Sequence, residues 1–378
     1  MSNKNGNTKK QKIVIKIGTS TLTDEQGRVD LAFIKELADQ VSILQTGNYE
    51  VLIVTSGAII AGLNVLDMPS KRPDDMQTLQ AAAAVGQVEL IKQYAHAFET
   101  RGLRTAQVLL TRNDISNREA YLHARDTLQR LIELSVIPII NENDTVAVEE
   151  IRFGDNDTLA AQVAILIAAD LVILLSDIEG LYSTDPRIDE DAELIRHIEG
   201  FTEEIVAAAG DTQTSKGSGG MVTKLEAARQ LLAAGIPMVI CEGHQKNVII
   251  DVVSGEPIGT RFAGQNSGHS KARKLWNALS GSVKGSVVVD DGAAKALRER
   301  GSSLLPVGII RVDGDFSKGD IIDIRIQSGF LIGRGVTRYS AENLNSIIGR
   351  SSEELADSGA IDASLRFEVM HRDEMVVF

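Results

Sequence analysis

A chain of 378 residues with 43% hydrophobic side chains is long enough for two domains and a sizeable core. Its net charge of −13 works against the phosphate-backbone attraction that drives nucleic-acid binding, and its single cysteine, Cys241, excludes an internal disulfide framework and fits a reducing compartment. The six histidines lack zinc-site spacing, so any metal would be held by oxygens.

The polar start MSNKNGNTKKQK lacks the apolar core of a signal peptide and reads as a loose tail, which with the rest of the composition points to the cytoplasm. From residue 13 one pattern repeats: a β-branched run, a polar or glycine-bearing turn, then apolar positions at helical spacing. The first strand, Ile13–Ile17 (IVIKI), runs into Gly18–Ser20. A helix over Leu31–Leu44 leads to a strand Val51–Thr55, which ends in Ser56-Gly57-Ala58. Helix Leu79–Thr100, strand Thr105–Leu110, helix Arg118–Leu134 and strand Val136–Ile140 follow, the last running into NEND (Asn141–Asp144). GDND (Gly154–Asp157) precedes a helix Thr158–Ala168, and strand Leu171–Leu175 runs into Ser176-Asp177. The apolar region Leu159–Leu175 carries Gln162 and Asp170, so it reads as a buried helix and a buried strand and not as a membrane span. Helix Met221–Ala233 and strand Ile236–Ile240 complete the series.

Continuous apolar strands separated by helices predict an α/β fold, a three-layer sandwich with a mainly parallel central sheet, over residues 10–262. Ligands of such sheets bind outside the carboxyl ends of the strands, and four of these ends carry small or acidic polar groups. Residues 263–282 read as a linker rich in Gly, Ser, Asn and Lys. Residues 283–365 carry short glycine-bearing strands and predict a small β-rich, barrel-like domain; from Val283 on, 12 Lys/Arg stand against 15 Asp/Glu, so it is not a basic surface.

The stretch SKGSGGMVTK (Ser215–Lys224) is glycine-rich but does not fit the P-loop order, in which lysine follows the last glycine directly. It precedes a helix-patterned run, so its N–H groups and the positive end of the helix dipole form an anion site, with Lys224 in the first turn; the alternative is a glycine-rich surface loop with an exposed lysine. Lys16, at the ligand end of the first strand, is costly there unless its head reaches water or a counter-charge; a half-exposed strand is the competing reading. Of Asp155, Asn156 and Asp157, one serves as a helix N-cap, which leaves two without a local structural reason. Asp144 is either a turn former or a ligand-edge acid, and Ser56-Gly57-Ala58 is either a tight turn or a place of close approach to a ligand. Two lysines, a glycine-rich helix start and nearby carboxylates suit phosphoryl transfer, in which catalysis is mostly positioning and charge neutralisation. Neither a Ser/His/Asp constellation nor a GxGxxG after the first strand competes with it.

The run VIKIGTS, VTSGA, NENDTVA, GDND, LLSDIEGLYSTDPR and SGGMVTK resembles the amino acid kinase family over about residues 10–260, in the order and spacing of the members that phosphorylate L-glutamate. DDGAAKALRERGSSLLPVGI resembles the PUA domain that many of those bacterial members append. The resemblance implies that Lys16 and Lys224 flank the migrating phosphoryl group and that Asp157 orients them. It implies that Ser56, Asp144 and Asn156 bind the acceptor. It assigns Lys16, Ser176, Asp177, Ser218, Gly219, Gly220, Met221, Val222, Thr223 and Lys224 to ATP, with Asp185 near the nucleotide. The implied reaction converts ATP and L-glutamate to ADP and L-glutamyl 5-phosphate with Mg²⁺, the first step of proline synthesis, with proline as feedback inhibitor and a homo-oligomer built through the kinase domains. The competing expectations are a kinase of the same fold acting on N-acetylglutamate or aspartate, and an RNA-binding protein acting through the PUA-like domain.

Overall fold

The computed structural model describes residues 10–24, 28–68, 73–146, 156–208, 220–263, 283–351, 354–355 and 367–378. The chain divides into two compact units, Met1–Leu232 with Ile236–Gln265, and Asn266–Phe378 with Ala233–Gly235. All but the first residue of the 263–282 linker lies outside the described residues.

The first unit is built on an eight-stranded sheet. In chain order its strands are β1 (Gln11–Ile17), β2 (Tyr49–Val54), β3 (Arg104–Leu110), β4 (Val136–Glu142), β5 (Leu171–Ser176), β6 (His197–Ile198), β7 (Met238–Glu242) and β8 (Thr260–Phe262). Their spatial order is β3-β4-β2-β1-β5-β7-β8-β6. Every pair is parallel except β7 with β8, so the expected mainly parallel sheet is present with one antiparallel joint near its edge.

Alternation along the central strand sorts the layers. Ile13, Ile15 and Ile17 of β1 pack in one cluster with Phe33, Leu37, Tyr94, Phe98 and Val248, which belong to helices Leu31–Thr46, Met76–Glu99 and Val248–Ser254. Lys16 has the opposite parity, and helix Asp157–Ile167 packs against β1 as well. Local chemistry fixes several helix starts: Asp30 accepts from the N–H groups of Ala32 and Phe33, Asp75 from Thr78, and Asn117 from Glu119 and Ala120.

Because β1 lies between β2 and β5, the chain runs out to one side of β1 and then returns to the other. This is a topological switch point, and an open α/β sheet has its ligand crevice outside the carboxyl ends there. Lys16 is in register with Val54 of β2 and Leu174 of β5, one or two residues before the polar ends of both strands.

The second unit has a five-stranded sheet: β9 (Val283–Val289), β10 (Ile309–Gly314), β11 (Ile321–Arg325), β12 (Leu331–Val336) and β13 (Met375–Val377), in the order β10-β9-β11-β12-β13. Val287, Val289, Ile322, Ile324 and Ile332 form its core with Leu297 and Leu344 from helices Asp291–Arg300 and Ala341–Asn345. The run GSVVVDDGA (Gly285–Ala293) is strand only to Val289; Asp290 then caps the helix through the Ala293 N–H. The unit has β pairing as its backbone, as the sequence predicts, but with helices against one core.

Candidate active site

Strand ends meet two helix starts, those of Asp157–Ile167 and Met221–Ala234. Lys16 is 3% exposed, and its Nζ stands 2.5 Å from Asp157 Oδ1. Lys224, in the first turn of helix Met221–Ala234, places its Nζ 3.1 Å from Asp157 Oδ2. Asp157 is fully buried at the first turn of its own helix. One carboxylate thus bridges two ammonium groups that are far apart in sequence, and Lys16 is not half-exposed. Thr223 Oγ lies 3.2 Å from the same Asp157 oxygen and 2.7 Å from the Gly220 carbonyl, which ties the helix start to the bridge.

Burying two cations on one anion is a poor way to gain stability, because desolvation of the charges offsets most of their attraction. Together the three groups carry a net charge of +1. A buried patch of that sign at a strand-end crevice suits an anionic ligand.

Asn156 occupies the N-cap position of helix Asp157–Ile167, yet its side chain makes no capping bond. Its Nδ2 instead donates to the Thr55 carbonyl at 2.5 Å and to Asn141 Oδ1 at 2.7 Å. Asn141 Oδ1 also accepts from the Glu142 N–H at 2.9 Å, while its buried Nδ2 has no hydrogen-bond partner among the described residues. A buried donor without a partner is costly, and here it lies among the polar strand ends, where a ligand oxygen would satisfy it. Ser56 is buried at the end of β2, followed by Gly57 at φ +90°, a turn conformation that favours glycine. Asp144 follows β4 in a turn and is partly exposed.

On the other side of β1, Ser176 is buried at the end of β5, and its hydroxyl donates to the exposed Asp177 at 3.1 Å. Met221 and Val222 open the helix that carries Lys224, Val222 with half its surface exposed. Among the described residues nothing lies within 4 Å of where a Cβ on Gly220 would sit. Asp185 is turned to Arg187, whose guanidinium holds its carboxyl below the usual carboxylate range. Ser218, Gly219 and Asp155 lie outside the described residues. Burial pushes the Cys241 thiol up to about 12, so it is protonated at neutral pH and no nucleophile.

Sequence reasoning brought together Lys16, Asp157, Lys224 and Asn156, and the structure joins them. It passed over Asn141, although that residue opens the NEND run, and it passed over Thr55. Polarity at the end of an apolar strand was the available signal for both.

The model of the amino acid kinase family matches residues 11–242, and that of the PUA domain matches residues 285–358. A glutamate 5-kinase of Caldanaerobacter subterraneus subsp. tengcongensis is 44% identical over 366 residues, covering 97% of each chain. Glutamate 5-kinases of Sodalis glossinidius and Shewanella oneidensis are each 44% identical, over 97% of this chain and 99% and 98% of theirs. The chain belongs to the glutamate 5-kinases of the amino acid kinase family. As a kinase of this family it uses ATP, and the residues present fit a phosphate chain: two buried ammonium groups with a helix N-terminus beside them. For Mg²⁺ the described residues offer no cluster of three or more His, Cys, Asp or Glu side chains. Magnesium held through nucleotide phosphates and waters needs at most one or two carboxylates, so the donor set is compatible with it. Among the described residues of the chain, no helix is long and apolar enough to cross a membrane.

Proposed function

We propose that the site transfers the γ-phosphoryl group of ATP to the side-chain carboxylate of L-glutamate, giving L-glutamyl 5-phosphate, the first step of proline synthesis. The observation that carries this reading is the bridge from Lys16 through Asp157 to Lys224 at the switch point of the sheet. A glutamate side chain with pKa ~4.3 is already ionised at neutral pH, so the nucleophile needs no base. That accords with a site built on lysines. The barrier lies in bringing an anion to a polyanion, and Lys16 and Lys224 offset that repulsion from two sides as charge builds on the transferred group. Asp157 fixes their separation. Lysine suits this work because its compact charge on a flexible stem can follow a migrating group.

The acceptor half consists of Ser56, Asn141, Asp144 and Asn156, with the free Asn141 Nδ2 as a donor for a glutamate oxygen. The nucleotide half consists of Ser176, Asp177 and the segment Ser218–Lys224. Mg²⁺ would neutralise part of the phosphate charge when bound with the nucleotide. The same reading includes proline as an inhibitor at the acceptor half, a homo-oligomer, and a cytoplasmic location. Trapping the acyl phosphate with hydroxylamine tests it, using ATP and Mg²⁺ with glutamate, N-acetylglutamate and aspartate in parallel. Hydroxamate with glutamate alone is expected; equal or greater yield with another acceptor would replace this substrate.

A further inference from the structure

Three walls of the acceptor half trace back to one helix, Met76–Glu99. Tyr94 of helix Met76–Glu99 is fully buried, and its hydroxyl shares a hydrogen bond of 2.9 Å with Thr55 Oγ1. The Thr55 hydroxyl in turn lies 3.3 Å from the Ser56 carbonyl, which it can reach as donor when Tyr94 donates to it. Burial pushes the Tyr94 hydroxyl well above its ordinary range, so it keeps its proton and can serve as that donor. Thr55 is also the residue whose carbonyl accepts from Asn156.

Two turns earlier on the same face, buried Gln87 donates from Nε2 to the Glu142 carbonyl at 3.2 Å, between Asn141 and Asp144, and accepts from Gln107. Beside it, Gly86 crosses Gly62 of helix Ala58–Val65, the helix that starts directly after Ser56-Gly57. A Cβ on Gly86 would stand 1.7 Å from the Ala58 carbonyl oxygen, and one on Gly62 would stand 1.7 Å from that of Ala82. The two helices therefore meet backbone to backbone, and neither can shift without moving the other.

We infer that Tyr94 and Gln87 are positioning residues for the acceptor: helix Met76–Glu99 holds the Thr55–Ser56 end of β2 and the Asn141–Glu142 end of β4 at the spacing that glutamate binding requires. This rests on the assignment of those strand ends to glutamate. The nucleotide half takes no bond from Tyr94 or Gln87 among the described residues, so the effect is confined to one substrate.

The test is steady-state kinetics on full-length Tyr94→Phe, Thr55→Val, Thr55→Ser and Gln87→Met, with melting temperatures recorded alongside. Tyr94→Phe is expected to raise KM for glutamate about 3- to 10-fold, the scale of one neutral hydrogen bond, with KM for ATP and kcat within about 2-fold. Thr55→Val should do the same, Thr55→Ser should restore the wild-type KM, and the Tyr94→Phe/Thr55→Val double variant should be no worse than Thr55→Val alone. A lowered melting temperature with both KM values unchanged, or an equal rise in both, would overturn the inference. If Gln87→Met does not fold, Tyr94→Phe decides, since it removes one oxygen only. Wild-type protein that makes no hydroxamate from glutamate would instead refute the acceptor assignment.

Discussion

Among the described residues two buried aspartates are each gripped by two cations, and one of them stands at the candidate site. Asp157 holds Lys16 and Lys224, whose side chains are 4% and 8% exposed. Asp323 of the second unit holds Arg325 at 2.9 Å and Arg334 at 2.7 Å, with side chains 38% and 17% exposed. The partners of Asp323 are local: Arg325 lies two residues along β11, and Arg334 is its register partner on β12. That is a cross-strand pair, reinforced by a same-strand arginine, which is how a sheet satisfies a mid-strand acid. The partners of Asp157 come from another strand and a distant helix, converge at strand ends, and are sealed from solvent. The difference teaches that a two-cation clasp is not by itself a mark of catalysis. Chain distance, choice of lysine, and location at the carboxyl edge separate the two.

Substitutions can break this comparison. Lys224→Met should lower kcat by roughly 10²–10³, the scale of losing one electrostatic stabiliser, with little change in melting temperature. Near wild-type turnover would place Asp157 in the same class as Asp323. Asp323→Ala should do the reverse: about 2 kcal/mol of lost stability in denaturant titration, below the range for a fully buried pair because Arg325 is well exposed, with kcat unchanged in the folded fraction. A loss of kcat there would give the second clasp a functional role. Asn156→Ala should raise KM for glutamate by about 10-fold, since a buried polar network loses its central donor, and leave KM for ATP unaffected. The smallest effect belongs to Arg334→Lys, with less than about 1 kcal/mol of destabilisation, because a point charge replaces one arm of a partly solvated pair. A large loss would show the fork geometry to be essential.

The sheet was legible because its central strands are short apolar runs rich in β-branched residues, and their ends were legible because polar or small residues follow them at Gly18, Thr55, Asn141 and Ser176. Lys16, Asp157 and Lys224 stood out as charges where apolar residues were due. The antiparallel β8 and the two-residue β6 did not, since so few residues show no period. Tyr94 and Gln87 were hidden for a different reason. Each sits where its own element's pattern expects a buried residue, and only the packing of helix Met76–Glu99 shows what its polar atom touches. Asn156 was legible as a candidate cap; that its amide turns away from the helix end to Thr55 and Asn141 depends on the neighbouring strands.

The place of β1 between β2 and β5 also sets an order of events for a chain leaving the ribosome. β2 is complete by Val54, so one flank of β1 can be paired early, but β5 begins only at Leu171. Through that interval the first-made strand presents an open edge, and Lys12 and Lys16 lie along it; charged side chains on an open edge discourage pairing with a neighbouring chain. The lysine that later meets Asp157 thus guards the nascent strand first.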